Sequence, residues 1–200
     1  MGWFSGHLRI EHTVPDYPRY VSFHTFKARE LQARLNVGGD FYSLPNKTNT
    51  TQLTMSIQAK DLTQEPATSP RHRTGDYAIL ARMTDKARAD IVGKIGGYHT
   101  DCPLDHMLLD WKGVEYAPVR KALESGASDE DIVIYLDSHG IPKTPEEIKQ
   151  WSDSMEKATM HGDPQKGAWF DEQCRALGLD PATTSLFDWL EADDKDTYGK

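Results

Sequence analysis

Ser128-Asp129-Glu130-Asp131-Ile132-Val133-Ile134-Tyr135-Leu136 and, beyond Gly140, Thr144-Pro145-Glu146-Glu147-Ile148 decide the fold class. Each segment opens on a hydroxyl residue that can accept a bond from the free backbone N–H groups of a first helical turn. Acids follow, and they suit the positive end of a helix dipole. Thr144 and Glu147 also stand at capping-box spacing. Ile132, Val133, Tyr135 and Leu136 fill the first helix, and Ile148, Trp151 and Met155 the second.

The same punctuation extends outward. Leu80, Met83, Ala87 and Ile91 recur at helical spacing and stop at Gly93. Pro103 suits the first position of a helix over Leu104 to Trp111, and Tyr116 to Leu123 closes at Ser125-Gly126. Asp163-Pro164 and Asp180-Pro181 are expected to open two more. The first would carry Trp169, Phe170, Cys174 and Leu177, and the second Leu186, Phe187, Trp189 and Leu190. Six or seven short helices with short joints predict a small all-α domain. No strong hairpin signal and no repeat of fixed period appears.

Composition sets limits around this domain. The chain has 200 residues, 38% hydrophobic and 27% charged, with a net charge of -8. An acidic balance argues against a partner held by its phosphate backbone, so nucleic acid is not expected. No run approaches the ~18 apolar residues of a membrane span. Arg9, Glu11, His12, Pro15 and Asp16 interrupt the place where a signal peptide needs an apolar run. Two cysteines make no disulfide framework, and a cytoplasmic, reducing setting follows as the expectation.

Charge and texture divide near Met55. Residues 1–54 carry six basic and four acidic side chains, whereas the remaining 146 residues carry 17 and 27. The leader reads as aromatic and turn fragments, with one short helical pattern over Phe26 to Leu35 and two Asn-x-Thr sequons that matter only after export. We read 1–54 as a weakly structured extension, which an upstream start codon assigned in error would also explain. Residues 55–195 form the helical domain and 196–200 a tail.

Several strings inside this domain carry a resemblance. They are Asp61-Leu62-Thr63-Gln64-Glu65-Pro66-Ala67-Thr68-Ser69-Pro70-Arg71, Gly75-Asp76-Tyr77, Leu80 to Ala89, Tyr98-His99-Thr100-Asp101-Cys102-Pro103-Leu104-Asp105, and Ser185-Leu186-Phe187-Asp188-Trp189-Leu190. In this order and spacing they resemble a bacterial family known as a domain of unknown function, number 5069 in its series. The resemblance implies a small cytosolic bacterial domain beginning near Met55 and transfers no catalytic role. Typical members have Pro where this chain has Ala81 and a second Gly where it has Asp76.

The candidate chemistry lies between Arg71 and His106. Arg71, Arg73, Arg82, Lys86 and Arg88 are expected to bind a small anionic ligand, since guanidinium forks match carboxylate or phosphate oxygens. Asp85 would orient an arginine, and Tyr98 would help close the site. The competing reading is a solvated face of i, i+3 and i, i+4 ion pairs, each worth about 0.2–0.5 kcal/mol. Cys102, at the N-cap before Pro103, is the candidate nucleophile if the domain is an enzyme, with His99, His106 or Asp105 assisting protons. The rival for Cys102 is a packed small hydrophobe.

Other constellations carry less. His99, Asp101, Cys102, Asp105 and His106 span eight residues with no second ligand cluster, so neither a metal nor a cofactor is expected. Gly93-Lys94-Ile95-Gly96-Gly97 reads as a helix stop and turn rather than a phosphate loop. Trp111, Trp151, Trp169 and Trp189 read as core or helix-junction residues. The acidic Glu191–Asp196 stretch reads as a solvated end, or as the neutraliser of the arginine cluster. The alternative function is a non-catalytic protein-interaction or homo-oligomerisation module.

Overall fold

The computed structural model describes residues 57–199, so the leader, its Phe26–Leu35 pattern and its sequons lie outside the described residues. Seven helices follow in order: α1 (Leu80–Ile91), α2 (Pro103–Lys112), α3 (Tyr116–Glu124), α4 (Asp129–His139), α5 (Pro145–Lys157), α6 (Gly167–Ala176) and α7 (Leu186–Tyr198). The domain is all-α, as the helical spacing predicts. Among the described residues, the only β pairing is an isolated bridge between Thr74 and Tyr77. It spans a turn in which Gly75 (φ 55°) and Asp76 (φ 65°) are both left-handed. Asp76 thus occupies a backbone that favours glycine, the residue that the resemblance implies there. Ala81 lies in the first turn of α1, where the Pro that the resemblance implies would break no intrahelical bond.

Capping accounts for three helix starts in one way. Ser128, Thr144 and Ser185 accept from the backbone N–H of Asp131, Glu147 and Asp188, and those acids return to the cap N–H. Both Asp-Pro expectations need correction. Asp163 and Asp180 form turns, with Asp163 Oδ1 accepting from the N–H of Gln165 and Lys166 and Asp180 Oδ1 from that of Ala182. The helices then begin at Gly167 and Leu186, several residues later. α7 also runs through Asp196 to Tyr198, past the start of the expected tail.

α1 lies at the centre. It packs against α2, α3 and α4, while α3 meets α4 and α5 meets α7. Leu80, Met83 and Ala87 join Leu108, Leu109, Val119, Leu123, Ile132, Leu136, Phe170 and Phe187 in one core. On the other side, Ala89 packs with Leu62 and Ala67. Eight of the 12 residues of α1 are buried, and Arg82, Thr84 and Lys86 are among them. A helix surrounded on several sides buries its polar residues too, and buried charges need partners.

Candidate functional site

The five predicted cations do not meet in one pocket. Each reaches a different part of the fold. Arg71 pairs with Asp188 (2.6 Å) and Glu191 at the start of α7. Arg73 pairs with Asp153 (3.1 Å) and Glu156 on α5. Arg82 grips Asp194 with two donors, at 2.7 and 3.1 Å. Lys86 pairs with Asp105 on α2 at 2.7 Å, and Arg88 with Asp129 on α4 at 2.6 Å. Asp85 orients none of these arginines. It accepts from the backbone and hydroxyl of Thr68 and pairs with Lys60. The i, i+3 and i, i+4 pairs along α1 are thus replaced by long-range ties, because α1 is enclosed rather than solvated.

Arg82 shows how complete such a tie can be. Its side chain is 3% exposed, its guanidinium lies 5.1 Å from the Tyr98 ring centre, and the Thr68 carbonyl accepts another bond at 3.3 Å. Burial opposes its charge, but the hydrogen bonds and charge of Asp194 outweigh burial and raise its pKa. Tyr98 belongs to this tie. Its hydroxyl donates to Asp194 at 2.5 Å and accepts from the Ala67 N–H, and burial raises its pKa. The Glu191–Asp196 stretch is therefore no solvated end: Glu191 and Asp194 neutralise arginines within the fold.

Lys86 makes a different arrangement one turn further along. Its ammonium, also 3% exposed, pairs with fully buried Asp105 and donates to Cys102 Sγ at 3.1 Å. Cys102 is the N-cap of α2 with Pro103 after it. Asp105 Oδ2 accepts from the Cys102 backbone N–H at 3.3 Å, so one carboxylate fixes both the cap and the lysine. Tyr116, at the start of α3, is buried beside Thr100, Arg120 and Asp105, and burial raises its pKa. Its hydroxyl makes no hydrogen bond of normal geometry. The Lys86 ammonium thus stands between a buried carboxylate and a cysteine sulfur at a helix N-terminus.

Three of the predicted site residues, Lys86, Cys102 and Asp105, thus come together. His99 is exposed and makes no hydrogen bond to the thiol, and His106 bonds to Asp101 (2.8 Å) and Asp110 (3.0 Å) instead. These carboxylates raise the His106 pKa, Asp110 most strongly. The sulfur's polar neighbour is Lys86, which sequence spacing assigned to the anion set. The link crosses 16 positions and has no signature in the chain. Tyr116 has no signature either, since an aromatic residue opening a helix reads as core.

The remaining candidates have structural places. Trp111 stacks on Trp151 at 4.7 Å and Trp169 meets Trp189 edge-on at 5.4 Å, joining α2 to α5 and α6 to α7. Gly96 (φ 62°) lies where an added Cβ would be 2.3 Å from the Leu62 carbonyl oxygen, so that turn demands glycine. Two open hollows of about 450 and 360 Å³ flank Tyr198, and neither is lined by the five cations or Cys102. Among the described residues, no group of three or more His, Cys, Asp or Glu could hold a metal ion, and no helix is long and apolar enough to cross a membrane.

A central helix whose cations are spent on internal carboxylates, beside one cysteine–lysine–aspartate cluster, defines a small helical domain. The sequence pattern of the family described as Domain of unknown function (DUF5069) matches residues 64–196, and the chain belongs to that family. No curated protein matches the chain.

Proposed function

We propose that the domain handles a small electrophilic or acidic molecule at the junction of α1 and α2, with Cys102 as the reacting or contacting group. The observation that carries this reading is the position of the Lys86 ammonium, 3.1 Å from Cys102 Sγ and 2.7 Å from Asp105 Oδ1. It narrows the anion-site expectation to one cation, because the four arginines already meet carboxylates. Cys102 is partly exposed and reachable, whereas Cys174 is buried and its pKa is raised by that burial. Lys86 would stabilise the attacking sulfur, and Asp105 would hold Lys86 in place. The intracellular setting suggested by the unpaired cysteines accords with a free thiol.

Iodoacetamide labelling of the folded chain, followed by peptide mass spectrometry, tests this reading. Cys102 is expected to alkylate at least about tenfold faster than Cys174, with small carboxylates slowing it. Equal rates at the two cysteines would overturn the proposal. A second reading, self-association or partner docking through α6, draws on Trp169, which is 46% exposed beside Trp189. Sedimentation of wild type and Trp169→Ser separates the two readings, since only docking predicts a change in mass.

A further inference from the structure

We infer that Cys102 and Lys86 form a peroxide-driven covalent switch, in which the oxidised sulfur is closed by the Lys86 amine as a sulfenamide. The inference rests on the thiol reading above and extends it to a specific modification and oxidant class. Three features support it. The Lys86 nitrogen is already the hydrogen-bond neighbour of the sulfur at 3.1 Å, so little movement separates contact from bond. Lys86 is 3% exposed and Asp105 fully buried, so water is poorly placed to compete at that side of the sulfur. The Tyr116 hydroxyl, buried near Thr100, Arg120 and Asp105, has no hydrogen bond of normal geometry, which leaves it able to turn toward a small oxygen ligand.

The chemistry balances with one hydroperoxide. The Cys102 sulfur attacks the nearer oxygen of hydrogen peroxide. The O–O bond breaks, a sulfenic acid forms, and the thiol proton leaves with the second oxygen as water. Asp105 then takes a proton from the Lys86 ammonium to which it is paired. The freed amine attacks the sulfenic sulfur, the S–N bond forms as the S–O bond breaks, and the departing hydroxide takes the proton that the attacking nitrogen sheds to become a second water. Sulfur has been oxidised by two electrons and peroxide reduced by two. Exchange with an external thiol breaks the S–N bond, returns the amine to Lys86 and leaves a mixed disulfide that a second thiol reduces. The closed form ties α1 to the N-cap of α2.

The test treats the folded full chain with hydrogen peroxide and reads the product by intact and tryptic mass spectrometry. The expected product has lost two hydrogens, joins the peptides of Lys86 and Cys102, resists trypsin after Lys86 and reverts with dithiothreitol. Lys86→Arg keeps a cation at the site but has no primary amine. It is expected to stop at the sulfenic acid, trapped by dimedone, or to proceed to sulfinic acid. Stable sulfenic or sulfinic acid in wild type, with no cross-linked peptide, overturns the switch even if iodoacetamide labelling is fast. Slow labelling of Cys102 instead removes the thiol reading beneath it. Detection of the cross-link in wild type does not depend on the variant folding.

Discussion

Arg82 and Lys86 stand one turn apart on α1, each 3% exposed and each ion-paired to an acid on another helix, yet they do different things. Arg82 is saturated: both oxygens of Asp194, the Thr68 carbonyl and the Tyr98 ring surround its guanidinium. Lys86 divides its ammonium between a carboxylate and a sulfur. A fork-shaped cation enclosed by acceptors works as a structural tie, while a compact one shared with a thiol leaves chemistry available. The two regions of one helix thus separate holding the fold from acting on something else.

Replacing Asp194 with Asn should produce the largest change. It leaves the buried Arg82 charge without its carboxylate, and a urea melt is expected to show a loss of about 3–5 kcal/mol. Cys102 labelling should stay unchanged in the folded fraction. A similar stability loss that also slowed labelling would erase the distinction between the regions. Lys86→Met breaks the other pair and leaves Asp105 buried without its cation. It is expected to destabilise the domain and, unlike Asp194→Asn, to slow Cys102 alkylation by about tenfold.

Two smaller changes probe the frame that presents α1. Gly75→Ala places a methyl where a Cβ lies 2.6 Å from Val133 Cγ1, at φ 55°. The expected cost is about 1–3 kcal/mol, read as a shift in the urea midpoint. Ser185→Ala removes the cap of α7, on which the Arg71 and Arg82 ties converge, and should cost about 1 kcal/mol. A neutral result for Ser185→Ala would mean that the ties alone position α7.

The smallest expected effect is electrostatic and lies next to the thiol. His106 is held by Asp110 and by Asp101, the residue before Cys102, and its pKa is raised above the ordinary 6.5. A raised histidine pKa means a contribution present at pH below 6.5 and lost as the pH climbs through the folded-state value. His106→Asn should therefore flatten the pH dependence of stability across that window. Since His106 is well exposed, the change should also shrink in high salt.

The sequence makes the helices legible because their starts are local. Ser128, Thr144 and Pro103 announce helices α4, α5 and α2 through neighbours three residues away. Asp163-Pro164 and Asp180-Pro181 mislead for the same local reason: the Asp side chain bonds the backbone just ahead as a turn before any helix begins. The true cap of α7, Ser185 with Asp188, has the same local form as the others. The site was legible only in part. Cys102 as an N-cap and Asp105 three residues on follow from spacing, whereas the ties of Arg71 to Glu191 and Arg82 to Asp194 cross more than a hundred positions. Arginine-rich α1 looks like an anion surface until the fold supplies the anions itself.

The most direct test compares the alkylation rate of Cys102 in wild type, Lys86→Met and Asp194→Asn, under conditions where all three are folded. A rate about tenfold lower in Lys86→Met alone is expected. Equal rates in wild type and Lys86→Met would contradict it, because Lys86 would then be one more structural tie.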